Sequence, residues 1–276
     1  MKRLGIMQGR LSPINNGKIQ TFPTDTWKDE FAIAKAIGYE LIEWVLDLTD
    51  IEKNPLLTKY GRSQINQHKK EFNIEIPSIC CDYFIEFPFH TDSLDQRMQA
   101  QGMLIELIRI SPEIGAKYLE IPLIGKSSIK DSLAAGITLN FFESIEPLLI
   151  ENDVYLLLET DILPAELNDL LKKIKSNRIL LNYDTGNSAF WGFDTEYELS
   201  HYGNRIGNIH IKDCTPKDYS LMLGTGNVDF DLTFKMLKDL KYEGDFILQA
   251  ARGEDDILLA SKYFKFTKSY IDKYLK

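Results

Sequence analysis

Eight short apolar runs, spread along the whole chain and separated by longer stretches, limit what this sequence can become. They are Leu4–Gln8, Leu41–Val45, Glu75–Cys81, Tyr118–Leu123, Val154–Glu159, Arg178–Tyr183, Gly207–Lys212 and Asp245–Gln249. Each has strand length and apolar, β-branched character. Between them lie stretches of amphipathic helical spacing, such as Trp27–Ile37, Leu94–Ile114, Ser132–Ile150, Ala165–Ile174 and Leu232–Leu240. Strands alternating with helices predict βαβ units and a parallel sheet. Eight such units in 276 residues suit a closed α/β barrel of the (β/α)8 or TIM type, which takes about 250 residues.

A weak internal repeat supports this. Ile37-Gly38-Tyr39-Glu40-Leu41-Ile42-Glu43 resembles Ile114-Gly115-Ala116-Lys117-Tyr118-Leu119-Glu120, and Tyr242-Glu243-Gly244-Asp245-Phe246-Ile247-Leu248-Gln249 is a looser third copy. In the first two a helix ends, a glycine relieves the left-handed conformation that follows it, and a strand runs to an acidic residue. No low-complexity segment or Pro-, Gly- or Ser-rich linker interrupts the chain, so residues 1–276 are read as one domain.

Charge and cysteine usage narrow the function. A net charge of −9 and a pI near 5.1 repel phosphate backbones and anionic lipid, which speaks against nucleic-acid and membrane partners. A local Lys or Arg can still hold a small phosphorylated ligand. The three cysteines, Cys80, Cys81 and Cys214, make a poor disulfide framework and fit a reducing cytoplasm. The first ten residues carry charge but no apolar signal-peptide run. No apolar stretch approaches the ~18 residues of a membrane helix.

The informative feature is where polar residues fall. Val154–Leu158 runs into Glu159, Ile179–Tyr183 into Asp184, and Phe246–Leu248 into Gln249, while His210 sits between Ile209 and Ile211. Strand carboxyl ends line the active site of such a barrel, so four polar groups from strands five to eight would converge. Taken singly, a Glu at a strand end is often a solvated loop edge, and a strand His is often a satisfied core residue. Together, two carboxylates, an imidazole and an amide oxygen form a mixed N/O set. Such a set suits one divalent ion such as Mn, Zn, Co or Fe, and its oxygens also permit Mg.

At these residues the sequence resembles the xylose-isomerase-like TIM barrels, and within them the L-ribulose-5-phosphate 3-epimerase (hexulose-6-phosphate isomerase) group. The resemblance rests on Leu41-Ile42-Glu43-Trp44 with Asp47 and Asp50, Ile76–Cys80 with Phe87-Pro88-Phe89, and Leu158-Glu159. It continues through Tyr183-Asp184-Thr185-Gly186-Asn187 with Trp191-Gly192, Ile209–Asp213, Gly224–Phe230 and Gly244–Gln249. It implies a metal held by Glu159, Asp184, His210 and a second Glu, whose position is Gln249 here. An amide oxygen can ligate, but it cannot accept a proton at neutral pH. The resemblance implies a small sugar or sugar-phosphate substrate and proton abstraction next to a carbonyl through a metal-stabilised enediolate. Glu159 would be ligand and base. A second base would have to come from Asp82, Glu86, His90 or Asp161. Otherwise one base serves one face, giving aldose–ketose isomerisation or the chemistry of a lyase or dehydratase. The remaining alternative is a carbohydrate-binding or regulatory protein on a weakened barrel. The related endonuclease IV type of DNA-repair barrel uses many histidines. This chain has four, with Asn187 where several relatives carry His, which argues against that role.

Other residues carry expectations of their own. Asn187, Lys212, Arg252, Glu43 and Trp191 are candidate substrate-binding residues, with Arg10 as a further cation. Glu43 and Glu120, at matching strand ends, could instead orient ligands. Trp191, Phe190, Phe87 and Trp44 could wall a sugar or simply pack. Gly224–Phe230 could cradle a phosphate or form a tight loop opening a helix with Asp229 or Asp231 near its N-cap. Cys80 and Cys81 read as buried small hydrophobes. Many barrels of this kind form homo-oligomers, and no residue decides that here.

Overall fold

The computed structural model describes residues 2–14 and 17–276. Eight parallel strands close into a barrel in sequence order. They are β1 Leu4–Met7, β2 Leu41–Val45, β3 Ser78–Cys80, β4 Tyr118–Leu123, β5 Tyr155–Thr160, β6 Ile179–Asp184, β7 Ile206–Ile211 and β8 Phe246–Leu248. Helices cover the outside, so the strands are buried on both faces and read as near-continuous apolar runs. The eight expected strands all form. The third is shorter than expected, because Pro77 has no N–H to give and Glu75 keeps only an isolated bridge to Leu41. Among the described residues, no helix is long and apolar enough to cross a membrane.

Helix ends follow local chemistry. Gly38 (φ 112°) and Gly115 (φ 82°) take the left-handed position expected of them. In the third repeat the left-handed residue is Lys241 (φ 55°) rather than Gly244. Two expected helices are split by proline. Leu94–Ile110 gives way to a 3-10 turn, Ser111–Ile114, containing Pro112. Ser132–Ser144 ends before Glu146–Glu151, which carries Pro147 in its first turn.

One irregularity matters for the site. Between β6 and β7 the register passes from Leu181↔Ile206 to Asn182↔Asn208, leaving Gly207 unpaired as a bulge. Beyond it, Asp184 lies opposite His210. Had the same residues paired in unbroken register, Asp184 would face Ile209, and a one-residue slip exchanges the faces of a strand. A Cβ at Gly207 would come within 2.7 Å of Leu157 Cδ2, so glycine suits the bulge.

Candidate active site

At the carboxyl end of the barrel, Glu159, Asp184 and His210 each offer one ligating atom, and these atoms lie within 4.8 Å of one another. All three side chains are buried. Asp184 ends β6 and caps the helix Thr185–Trp191. Its Oδ1 accepts the Asn187 backbone N–H at 2.9 Å, and its buried Oδ2 has no hydrogen-bond partner. Gly186 lets that helix approach β7; a Cβ there would lie 2.6 Å from Lys212 Cγ.

His210 is fixed from below. Its Nε2–H donates to Glu43 Oε2 at 2.7 Å, and Glu43 Oε1 accepts from Ser78 Oγ at 2.7 Å. Nδ1 is left without a partner, 3.5 Å from Glu159 Oε2. Burial alone would pull the imidazole pKa down. Glu43 and Glu159 outweigh it and hold the value well above the ordinary histidine range.

Glu159 is oriented by two amides at 2.6 Å each: Asn182 Nδ2 donates to Oε2 and Asn187 Nδ2 to Oε1. Asn208 Nδ2 in turn donates to Asn182 Oδ1 at 3.0 Å, and Lys212 Nζ to Asn187 Oδ1 at 3.1 Å. Burial pushes the Glu159 carboxyl upward, but His210, Lys212 and Asn182 bring it below its usual value. It is therefore ionised at neutral pH.

Gln249 Nε2 donates to Gln20 Oε1 at 2.9 Å, while its buried Oε1 has no partner. Among the described residues, Asp184 Oδ2, His210 Nδ1 and Gln249 Oε1 thus have no partner, and all are of metal-ligating type. Buried polar atoms are rarely left unpaired without a reason, so the donor set fits a divalent cation. Beside it opens a cavity of about 180 Å³, lined by Arg10, Gln20, Asp82, Glu159, Lys212 and Gln249 among others.

Several expected substrate contacts lie elsewhere. Glu43 is fully buried beneath His210 and positions it; it does not line the cavity. Asn187 holds Glu159 and borders a separate recess of about 30 Å³, which Trp191 also lines. Arg252 is held by Asp256 (Nη2–Oδ2 2.7 Å) and the Ser12 carbonyl, away from the cavity. Trp44 is core: it packs on Phe22 and Trp27, and its Nε1–H donates to Asn54 at 3.0 Å. The glycine loop is no phosphate cradle. Gly224 and Gly226 N–H both donate to Asp213 Oδ2 at 2.9 Å, and Asp229 caps the next helix. Lys212 does line the cavity, with Nζ 3.4 Å from the Tyr219 ring centroid.

Asn182 and Asn208 join the site without having been expected there. Their sequence signal exists, since each precedes a candidate ligand, Asp184 or His210, by two residues and so shares its inward face. Gln20 has no such signal, because its place depends on how the loop after β1 folds over the barrel mouth.

Comparison with known proteins agrees with this architecture. A protein of Haemophilus influenzae named SgbU, provisionally an L-ribulose-5-phosphate 3-epimerase, is 26% identical over 81% of this chain and 83% of its own length. A solved L-ribulose 3-epimerase superposes with a TM-score of 0.79 at 16% identity, covering 99% of this chain and 96% of that one. The zinc-bound IOLI protein superposes with a TM-score of 0.77 at 15% identity, covering 99% of each. The family model described as the xylose isomerase-like TIM barrel matches residues 31–268. On that match and the closed eight-stranded barrel, the chain belongs to the xylose isomerase-like TIM barrel family.

Proposed function

We propose that this protein is a divalent-metal-dependent isomerase or epimerase of a small sugar or sugar phosphate. The observation that carries the reading is the cluster of Glu159, Asp184 and His210, with its orphaned ligating atoms, beside a cavity that Glu159 also lines. Similarity to a protein named as a ketose-phosphate epimerase supports the substrate class.

Glu159, Asp184, His210 and the Gln249 amide oxygen would hold the ion, which when bound supplies Lewis-acid polarisation of a substrate carbonyl. The protein's own part is to move a proton. Glu159, ionised and clamped by Asn182 and Asn187, takes it from the carbon beside the carbonyl. Lys212, buried on the cavity wall, sets positive charge near the oxygen that becomes negative. Ile19, Ile85, Pro122 and Ile124 make much of the remaining wall apolar and exclude water.

The test is metal analysis of purified protein, then deuterium wash-in beside the carbonyl of a panel of ketoses in D₂O. Deuterium enters with the metal-loaded protein, and Glu159→Gln slows it by about 10²–10⁴. Failure of every metal to support wash-in refutes the reading. Gln249 favours one rival, a sugar-binding protein without turnover. That rival predicts calorimetric sugar binding with no wash-in.

A further inference from the structure

We infer that Asp82 is the second proton-transfer residue of this site, serving the face of the substrate carbon that Glu159 does not reach. The inference rests on the proposed isomerase reading and adds to it. Epimerisation inverts a carbon, so the proton must leave one face and return to the other. Glu159 can serve one face only.

Among the described residues, the carboxyl groups that line the cavity are Asp82, Glu120 and Glu159. The other acids and bases considered from sequence are engaged or absent from it. Glu86 pairs with Lys126. Asp161 accepts from Ser128 at 2.6 Å and from Lys130 at 3.0 Å. His90 does not line the cavity.

Asp82 and Glu120 differ in height and exposure. Glu120 lies inside β4, opposite Leu157, two residues short of Glu159 along β5. It is fully buried at the cavity floor. Asp82 follows the end of β3 and is half-buried at the mouth, so a ligand can reach it. In a closed ring of eight, β3 stands opposite β7, which carries His210. It stands a quarter of the ring from β5, which carries Glu159, so the two carboxyl groups meet the cavity from different sides.

Its carboxyl is also held for use. Gln20 Nε2 donates to Asp82 Oδ2 at 2.6 Å. The Gln20 amide cannot flip without loss, because its Oε1 accepts from both Gln249 Nε2 (2.9 Å) and Arg10 Nη2 (3.1 Å). A chain of amides thus joins Gln249, which cannot exchange a proton, to an acid that can. Among the described residues, Asp82 Oδ1 has only the weak Cys80 thiol at 3.5 Å and is the oxygen that can carry a proton. Burial, with Glu159 and Asp47 adding to it, raises this carboxyl to about 6, so protonated and ionised forms both occur near neutral pH.

The step balances. Glu159 carboxylate takes the proton, and the C–H pair becomes the C=C of the enediolate as the carbonyl pair moves onto oxygen. Protonated Asp82 then gives its proton to the opposite face. The C=C pair forms the new C–H bond and the carbonyl returns. Glu159 ends protonated and Asp82 ionised, and exchange with water restores both.

The experiment follows one ketose in D₂O by NMR, reading wash-in to recovered substrate separately from epimer formation. The metal-loaded wild type, Asp82→Asn, Asp82→Glu and Glu120→Gln are compared. Asp82→Asn is expected to cut epimer formation by about 10²–10⁴, with wash-in through Glu159 retained and part of the epimer yield restored in Asp82→Glu. Retained wash-in also shows that Asp82→Asn is folded. Epimer formation at the wild-type rate in Asp82→Asn, or its loss in Glu120→Gln alone, overturns the inference and leaves the isomerase reading standing. A wild type that washes in deuterium but makes only aldose also overturns it. No wash-in from the wild type overturns both.

Discussion

Replacing Glu43 tests the proposed metal centre from a residue that touches neither metal nor substrate. Glu43 is fully buried, and both oxygens are committed, to His210 Nε2 and Ser78 Oγ at 2.7 Å each. Pinning the proton on Nε2 leaves Nδ1 as the nitrogen that ligates once its own proton is displaced. Glu43→Gln keeps the size and one acceptor oxygen but removes the charge. A hydrogen bond to a charged group contributes about 1.5–3 kcal/mol, against about 0.5–1.5 for a neutral one. The loss is then about 1–1.5 kcal/mol, or roughly tenfold in metal affinity. Glu43→Ala removes the acceptor, frees the ring to rotate or change tautomer, and moves the expectation towards ~100-fold. Competition titration of Zn²⁺ or Mn²⁺ against a chromophoric chelator reads both values, with circular dichroism to check folding. Wild-type affinity in both folded variants would refute the claim that His210 ligates through Nδ1.

Four further outcomes are expected. Because Glu43 and Glu159 overcome burial to raise His210, metal must displace its proton. Binding near pH 7 then releases about one proton, and calorimetry in two buffers of different ionisation enthalpy must give different apparent heats. Burial raises Glu30 to about 7 although Gly9 and Leu11 N–H donate to it. The folded state therefore keeps a proton the unfolded chain has shed, and stability falls by about 3 kcal/mol as pH rises from about 4.5 to 7. Glu30→Gln should flatten that slope in urea midpoints, and an unchanged slope excludes this cause. Gly207→Ala crowds methyl tips of Leu157 and Leu180 and should cost about 1 kcal/mol of stability while weakening metal binding. Unchanged affinity would show that the bulge does not aim His210. Gln249→Glu should tighten metal binding about tenfold or more by adding a charge to the ligand set, and an unaltered Kd would exclude position 249 from it.

The barrel was legible because its signal is repeated eight times, and small errors at strand ends do not change the count. The triad was legible because Glu159, Asp184 and His210 end or nearly end consecutive strands. What sequence alone hid was depth and direction. Glu43 and Glu159 look alike as acids at strand ends, yet Glu43 lies beneath the imidazole and Glu159 beside the cavity. Arg252 reads as a free cation near Gln249 until Asp256, four residues on, folds back to hold it. Gln20 joins the site only through loop closure over long range, which no local pattern encodes.

The unpaired Gly207 makes β7 two short pieces in opposite phase. Upstream, Ile206 keeps step with the helix layer; downstream, Asn208 and His210 keep step with the interior. The outer packing and the inner chemistry of this strand are therefore set independently. Deleting Gly207 should straighten the strand and leave the imidazole facing inward opposite Asp184, whereas one residue inserted after it would restore strict alternation and carry the imidazole, still facing inward, two positions past Asp184.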